Sequence, residues 1–150
     1  GSFRHISHIA SEWVLYFDSV SDERKRAITL DRLHERGVNG IIVECGSYLS
    51  EIFYRYGQPE RGEYWLRRFT SPELKRREYP EVSYTCIGAF VFGLMGISYD
   101  ALTKTISADP KLPANVASAS LTGLPVFGRL ADVTAENGSV TITYRDRAEA

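Results

Sequence analysis

Val82-Ser83-Tyr84-Thr85-Cys86-Ile87-Gly88-Ala89-Phe90-Val91-Phe92-Gly93-Leu94-Met95-Gly96-Ile97 is the stretch on which the fold turns. No charge interrupts it, and apolar side chains fall on every side of a helix drawn through it. The pattern predicts a helix over 82–97 that is buried all round. Gly88, Gly93 and Gly96 each cost about 1 kcal/mol of helix propensity, and in return let neighbouring helices approach closely. The uncharged run continues to Tyr99, 18 residues in all and near the length of a membrane span. It carries Ser83, Thr85, Ser98 and three glycines, however, and Tyr79-Pro80-Glu81 abuts it, so it reads as a core helix.

Upstream, the pattern recurs. Ile41, Cys45, Tyr48, Leu49, Ile52, Phe53 and Tyr56 cover most of a helix over 41–56. Its thin polar stripe is Glu44, Glu51 and Arg55, the last two spaced as an i,i+4 pair. Asn39-Gly40 opens this helix as Pro80-Glu81 opens the later one, a repeat of about 40 residues. Between them lies a mostly polar helix over 60–69, entered through Gly57-Gln58-Pro59. Before them, Ile6, Ile9, Trp13, Tyr16 and Val20 mark an amphipathic helix of about four turns. Asp22 to Arg36 predicts an outer helix with a narrow stripe of Ala27, Leu30 and Leu33, stopped at Gly37. Buried and half-exposed helices thus alternate, as in a two-layer ring or solenoid. Two inner and two outer helices cannot close a ring, so the reading is an incomplete one.

Downstream, the pattern changes from helix to strand. Residues 1–98 hold 15 of the 18 aromatics, whereas 99–150 reads as short strands around 104–108, 117–121, 128–135 and 139–144. Glu136-Asn137-Gly138 between alternating segments is a strong hairpin signal. The fold class expected is therefore α+β: helical hairpins over 1–98, then a small antiparallel β-domain over 99–150.

Composition narrows the function. The 150 residues are 43% hydrophobic and 25% charged, which excludes a generally disordered chain. Eighteen basic against 19 acidic residues give a net charge of −1, unlike a nucleic-acid binder with its basic surplus. Cys45 and Cys86 are too few for a disulfide scaffold; both stand about five residues into a buried helix and read as small hydrophobes. His5, His8 and His34 share no metal-ligand spacing, and neither metal nor cofactor is expected. The first residues show no basic, apolar and small-residue succession of the kind that marks a signal peptide. Gly1-Ser2-Phe3 reads either as a tag remnant or as a cut inside a longer polypeptide, and the compartment stays open.

A family resemblance rests on motifs in order. Gly46-Ser47-Tyr48 and then Glu51-Ile52-Phe53-Tyr54-Arg55-Tyr56-Gly57-Gln58-Pro59-Glu60 resemble the inner-helix end and turn of the six-hairpin glycosidases, built on an (α/α)6 toroid. Tyr79-Pro80-Glu81-Val82-Ser83-Tyr84, with Gly88-Ala89 and Gly93-Leu94-Met95-Gly96-Ile97, is similar to the last inner helix of that toroid. Ala108-Asp109-Pro110-Lys111-Leu112-Pro113 follows as an extended segment. Leu121-Thr122-Gly123-Leu124-Pro125-Val126-Phe127-Gly128 then resembles the opening of the C-terminal β-domain. The α-L-rhamnosidase-like branch is the nearest pattern, although a clear "T-T-x-W-E" before the last inner helix and an "N-H" within it are absent. The resemblance implies the C-terminal part of a glycoside hydrolase, with the remainder of the parent chain as its partner and a carbohydrate as substrate.

Such hydrolysis needs two carboxyl groups. The resemblance puts substrate at the N-terminal ends of the inner helices, near Asn39-Gly40 and Pro80-Glu81. Glu81 is the candidate base, at a helix start that favours negative charge; the competing reading is a first-turn glutamate and nothing more. Tyr79, Tyr84, Tyr48 and Asn39 are the candidate sugar contacts, because an aromatic face stacks on a pyranose while a hydroxyl or amide hydrogen-bonds it. Glu44 reads as part of a salt-bridge face, and Lys75-Arg76-Arg77 as a solvated loop cluster. Two other classes stay open: a non-catalytic helical-repeat interaction module, and a toroid phosphorylase, lyase or epimerase.

Overall fold

The computed structural model describes residues 10–37, 41–75 and 78–146. The helices are α1 (Ala10–Tyr16), α2 (Glu23–Arg36), α3 (Val43–Gly46), α4 (Leu49–Arg55), α5 (Pro59–Thr70) and α6 (Pro80–Gly88), the last running into a π-helical segment, Ala89–Leu94. A hairpin of β1 (Ile97–Asp100) and β2 (Thr105–Ala108) follows, then a meander of β3 (Ser118–Val126), β4 (Arg129–Glu136) and β5 (Ser139–Asp146). The chain is α+β, helices first and antiparallel sheets after.

The outer helix α2 forms as its sequence dictates. Asp22 accepts from the Lys25 amide at 3.0 Å and caps it. Only Leu30 and Leu33 are buried along it, and Gly37 closes it at φ 63°. In α5, Pro59 occupies the first turn, and Gly62, Trp65 and Phe69 make the buried stripe.

Three expectations are corrected. The helix expected over 41–56 is two helices joined at Ser47-Tyr48. There the Ser47 hydroxyl donates to the Glu44 carbonyl at 2.9 Å and the Tyr48 amide turns back to Cys45, a tightening typical of serine competing for helix carbonyls. The helix expected over 82–97 is α6 plus the π-helical turn, and Ile97 already belongs to β1. Nor is that helix buried all round: Tyr84 is 72% exposed, Ile87 63% and Phe92 50%. Of the first expected helix, Ile6 and Ile9 lie outside the described residues.

Close packing around α4 fixes the helical layer. A methyl group on Gly62 would stand 2.8 Å from the Tyr54 ring, and one on Gly93 3.0 Å from the same ring and 3.3 Å from the Glu51 Cα. A methyl on Gly88 would stand 3.2 Å from Glu51 Oε2. Thus α4 lies between α5 on one side and α6 with its π-helical turn on the other, with no room for a methyl at Gly62 and little at Gly88 and Gly93. Leu15, Leu33, Leu49, Ile52, Phe53 and Trp65 fill the core beside it.

The β-region has its own core. Met95, Ile97, Ile106 and Val126 pack with Ala131, Val133 and Ala135, the alternate residues of β4, and Phe90 and Val91 of the π-helical turn rest against them. Both meander turns have two successive residues at positive φ, Phe127-Gly128 and Asn137-Gly138, the form whose twist suits a two-residue hairpin. A bulge between Leu121 and Leu124 brings the Gly123 amide 2.7 Å from Asp132 Oδ1, and Arg145 donates to the same carboxylate. The segment after β2 is stitched to the helical layer: the Asp109 amide donates to the Gly96 carbonyl at 3.1 Å and the Lys111 amide to the Leu94 carbonyl at 2.7 Å.

Candidate functional site

The helices α3 and α6 are in contact, and Ile41, Leu74, Val82 and Tyr79 share one apolar cluster. A cleft of about 320 Å³ opens beside them, lined by Ile41, Val43, Phe69 and Leu74 with Arg68, Glu73 and Lys75 at its polar edge.

Glu81 stands in the first turn of α6 with its side chain exposed. Its carbonyl accepts from the Thr85 hydroxyl at 2.7 Å. Tyr79 is the N-cap residue of α6 and is half-buried against the core. Tyr84 projects into solvent. Tyr48 turns towards α1, its ring 4.9 Å from that of Trp13 and 5.0 Å from that of Tyr16. Asn39 lies outside the described residues. Tyr79 and Glu81 thus stand together at the start of α6, a helix in contact with α3, while Tyr48 belongs to an aromatic group with α1.

Among the described residues two acids are buried, Glu12, which the sequence does not single out, and Glu51, which it marks only as the partner of Arg55. Glu12 is 1% exposed and Glu51 5%. Burial pushes the Glu51 carboxyl above its usual range, partly offset by Arg55, whose Nη2 donates to Glu51 Oε1 at 2.5 Å. Arg55 also donates to the Tyr16 carbonyl, and the Tyr56 hydroxyl to the Leu15 carbonyl at 2.8 Å. Together they bind the end of α1 to α4. Burial, then Glu12 and Glu44, push the Cys45 thiol up, so these two carboxyls and the thiol form one electrostatic group. Burial and then Glu51 push the Tyr16 hydroxyl up. The i,i+4 spacing announces the Glu51–Arg55 pair, but not that Glu51 is buried while Arg55 reaches solvent. Nothing in the alternation around Glu12 distinguishes it from a surface acid.

Chemically, the cluster is one of buried and half-buried carboxyls beside an aromatic group of Trp13, Tyr16, Phe17 and Tyr48. Both cysteines are free thiols. Among the described residues, no three His, Cys, Asp or Glu are placed to hold a metal ion, and no helix is long and apolar enough to cross a membrane. No family model matches the chain, and neither a curated protein nor a solved structure matches it.

Proposed function

We propose that this chain is the C-terminal part of a glycoside hydrolase whose helices complete an (α/α) toroid with the remainder of the parent chain. The observation that carries the reading is the outward face of α6 and its π-helical turn, where Tyr84, Ile87 and Phe92 are exposed beside a helix packed against α4 through glycines. An inner helix of a ring needs such a face for its next neighbour, since an isolated soluble domain rarely leaves large apolar groups clustered in water. The order of helices, extended segment and antiparallel sheet supports the same reading.

In it, Glu81 serves as base at the funnel end of α6. Tyr79, Tyr84 and Asn39 contact the sugar, Tyr48 being turned towards α1 instead, and the parent chain supplies the second carboxyl. In the full-length parent, Glu81→Gln keeps size and hydrogen bonding and removes the base, so kcat should fall by about 10²–10⁴ with an unchanged melting temperature. A parent that retains its kcat with Glu81→Gln leaves this residue as a helix-start carboxylate. The 150-residue chain alone should turn over no aryl glycoside. The exposed face equally favours a helical-repeat interaction module, in which Tyr84→Ala weakens partner binding and no glycoside is hydrolysed by any form of the protein.

A further inference from the structure

A second cleft, of about 180 Å³, lies between α1 and α2, with Ile28 and Leu33 as its apolar wall. Lys25, Thr29, Arg32 and Arg36 line it from α2, at spacings that place them along one helix face. Ser11 lines it from α1. Its charge is positive. Lys25 Nζ lies 3.7 Å from Asp22 Oδ2, but among the described residues no ion pair engages Arg32 or Arg36. The sole acid of α1, Glu12, is not part of the lining.

Arg36 carries the argument further. Its Nη1 is buried and donates to no acceptor among the described residues, a costly state for a charged donor. The side chain as a whole is half-buried and lines the cleft, so an anion reaches that nitrogen once the guanidinium turns towards the opening. The guanidinium fork suits an oxyanion, which accepts two parallel hydrogen bonds. The Thr29 hydroxyl already donates to the Lys25 carbonyl at 2.8 Å, so the available donors are Arg36, Arg32, Lys25 and the Ser11 hydroxyl. We propose that this cleft binds a phosphate group, as inorganic phosphate or on a phosphorylated metabolite, held by Arg32 and Arg36 with Lys25 at its edge. The site is independent of the glycosidase reading.

Calorimetric titration of the 150-residue chain at low salt tests it, with inorganic phosphate, glucose 6-phosphate and glucose as probes. Binding of phosphate is expected with a Kd of about 1–10 mM or tighter, and none of glucose. A tighter Kd for glucose 6-phosphate identifies a phosphorylated metabolite as the source; equal values identify free phosphate. Arg36→Gln and Arg32→Gln should each weaken binding about tenfold or more. Arg32 is exposed, so that variant carries the test if Arg36→Gln fails to fold. No heat with either phosphate, affinity unchanged in the variants, or equal competition by chloride at matched ionic strength overturns the proposal.

Discussion

Glu51 and His34 give the stability of the fold two opposite dependences on pH. Burial holds the Glu51 proton on above the ordinary 4.5, so its protonated form favours the folded state. That contribution is present below 4.5 and is lost as pH rises through the folded value. His34 packs edge-on against Phe53, Tyr64 and Trp65. Burial first and Arg61 second push its imidazole below the ordinary 6.5. The unfolded chain therefore takes up this proton first, and stability falls as pH drops through about 6.5. Urea midpoints at intervals from pH 5 to 8 should show the acid-side loss in the wild type and its flattening in His34→Gln. Glu51→Gln should instead remove a loss of stability that accompanies rising pH above 4.5. At Tyr54, burial and then Glu63 push the hydroxyl up to about 12, and among the described residues that buried hydroxyl has no hydrogen-bond partner. Tyr54→Phe discards an unsatisfied group, so stability should rise by about 1 kcal/mol in chemical denaturation.

At the scale of the helices, glycine decides how closely α4 is approached. Gly62→Ala gains about 1 kcal/mol of helix propensity. It also sets a methyl 2.8 Å from three atoms of the Tyr54 ring, and overpacking of that kind costs about 1–3 kcal/mol. The clash should win, lowering stability by about 1 kcal/mol or more, and a Tyr54→Leu background should remove most of the loss. Gly88 and Gly93 were legible in sequence as positions of close approach, and the structure uses both. The polar face of α2, its Asp22 cap and the Asn137-Gly138 turn were legible for the same reason: each is settled within a few residues. The break at Ser47 was not, because a hydroxyl that returns to its own helix leaves no mark in the apolar periodicity. The turn at Phe127-Gly128 was also missed as a turn, since phenylalanine at positive φ is held there by the register of β3 and β4 rather than by preference.

Across the whole molecule, two cores meet at the π-helical turn. Phe90 and Val91 rest on the β-region while Gly93 rests on Tyr54 of α4. A chain ending after Gly96 would expose Met95, Phe90 and Val91 together, and should elute from size exclusion as aggregate rather than as a folded helical unit. Sequence periodicity marks 82–97 as apolar but does not say which side is covered. Coverage depends on which elements pack there, so the exposure of Tyr84, Ile87 and Phe92 was not foreseen. The candidate site was legible only in part for a similar reason. Tyr79 and Glu81 are placed by the start of α6, a local signal. The burial of Glu12 and Glu51 arises from contact between α1, α4 and α6, residues far apart in the chain.

The ring of Tyr54 lies between the bare backbones of Gly62 and Gly93, with a relative exposure of 0%. A half-turn of that ring sweeps out more space than either glycine leaves, so α5 and the π-helical turn must separate before it can occur. Proton resonances on the two edges of the ring should consequently remain distinct in NMR spectra instead of averaging. The temperature at which they merge measures how often the helical layer opens.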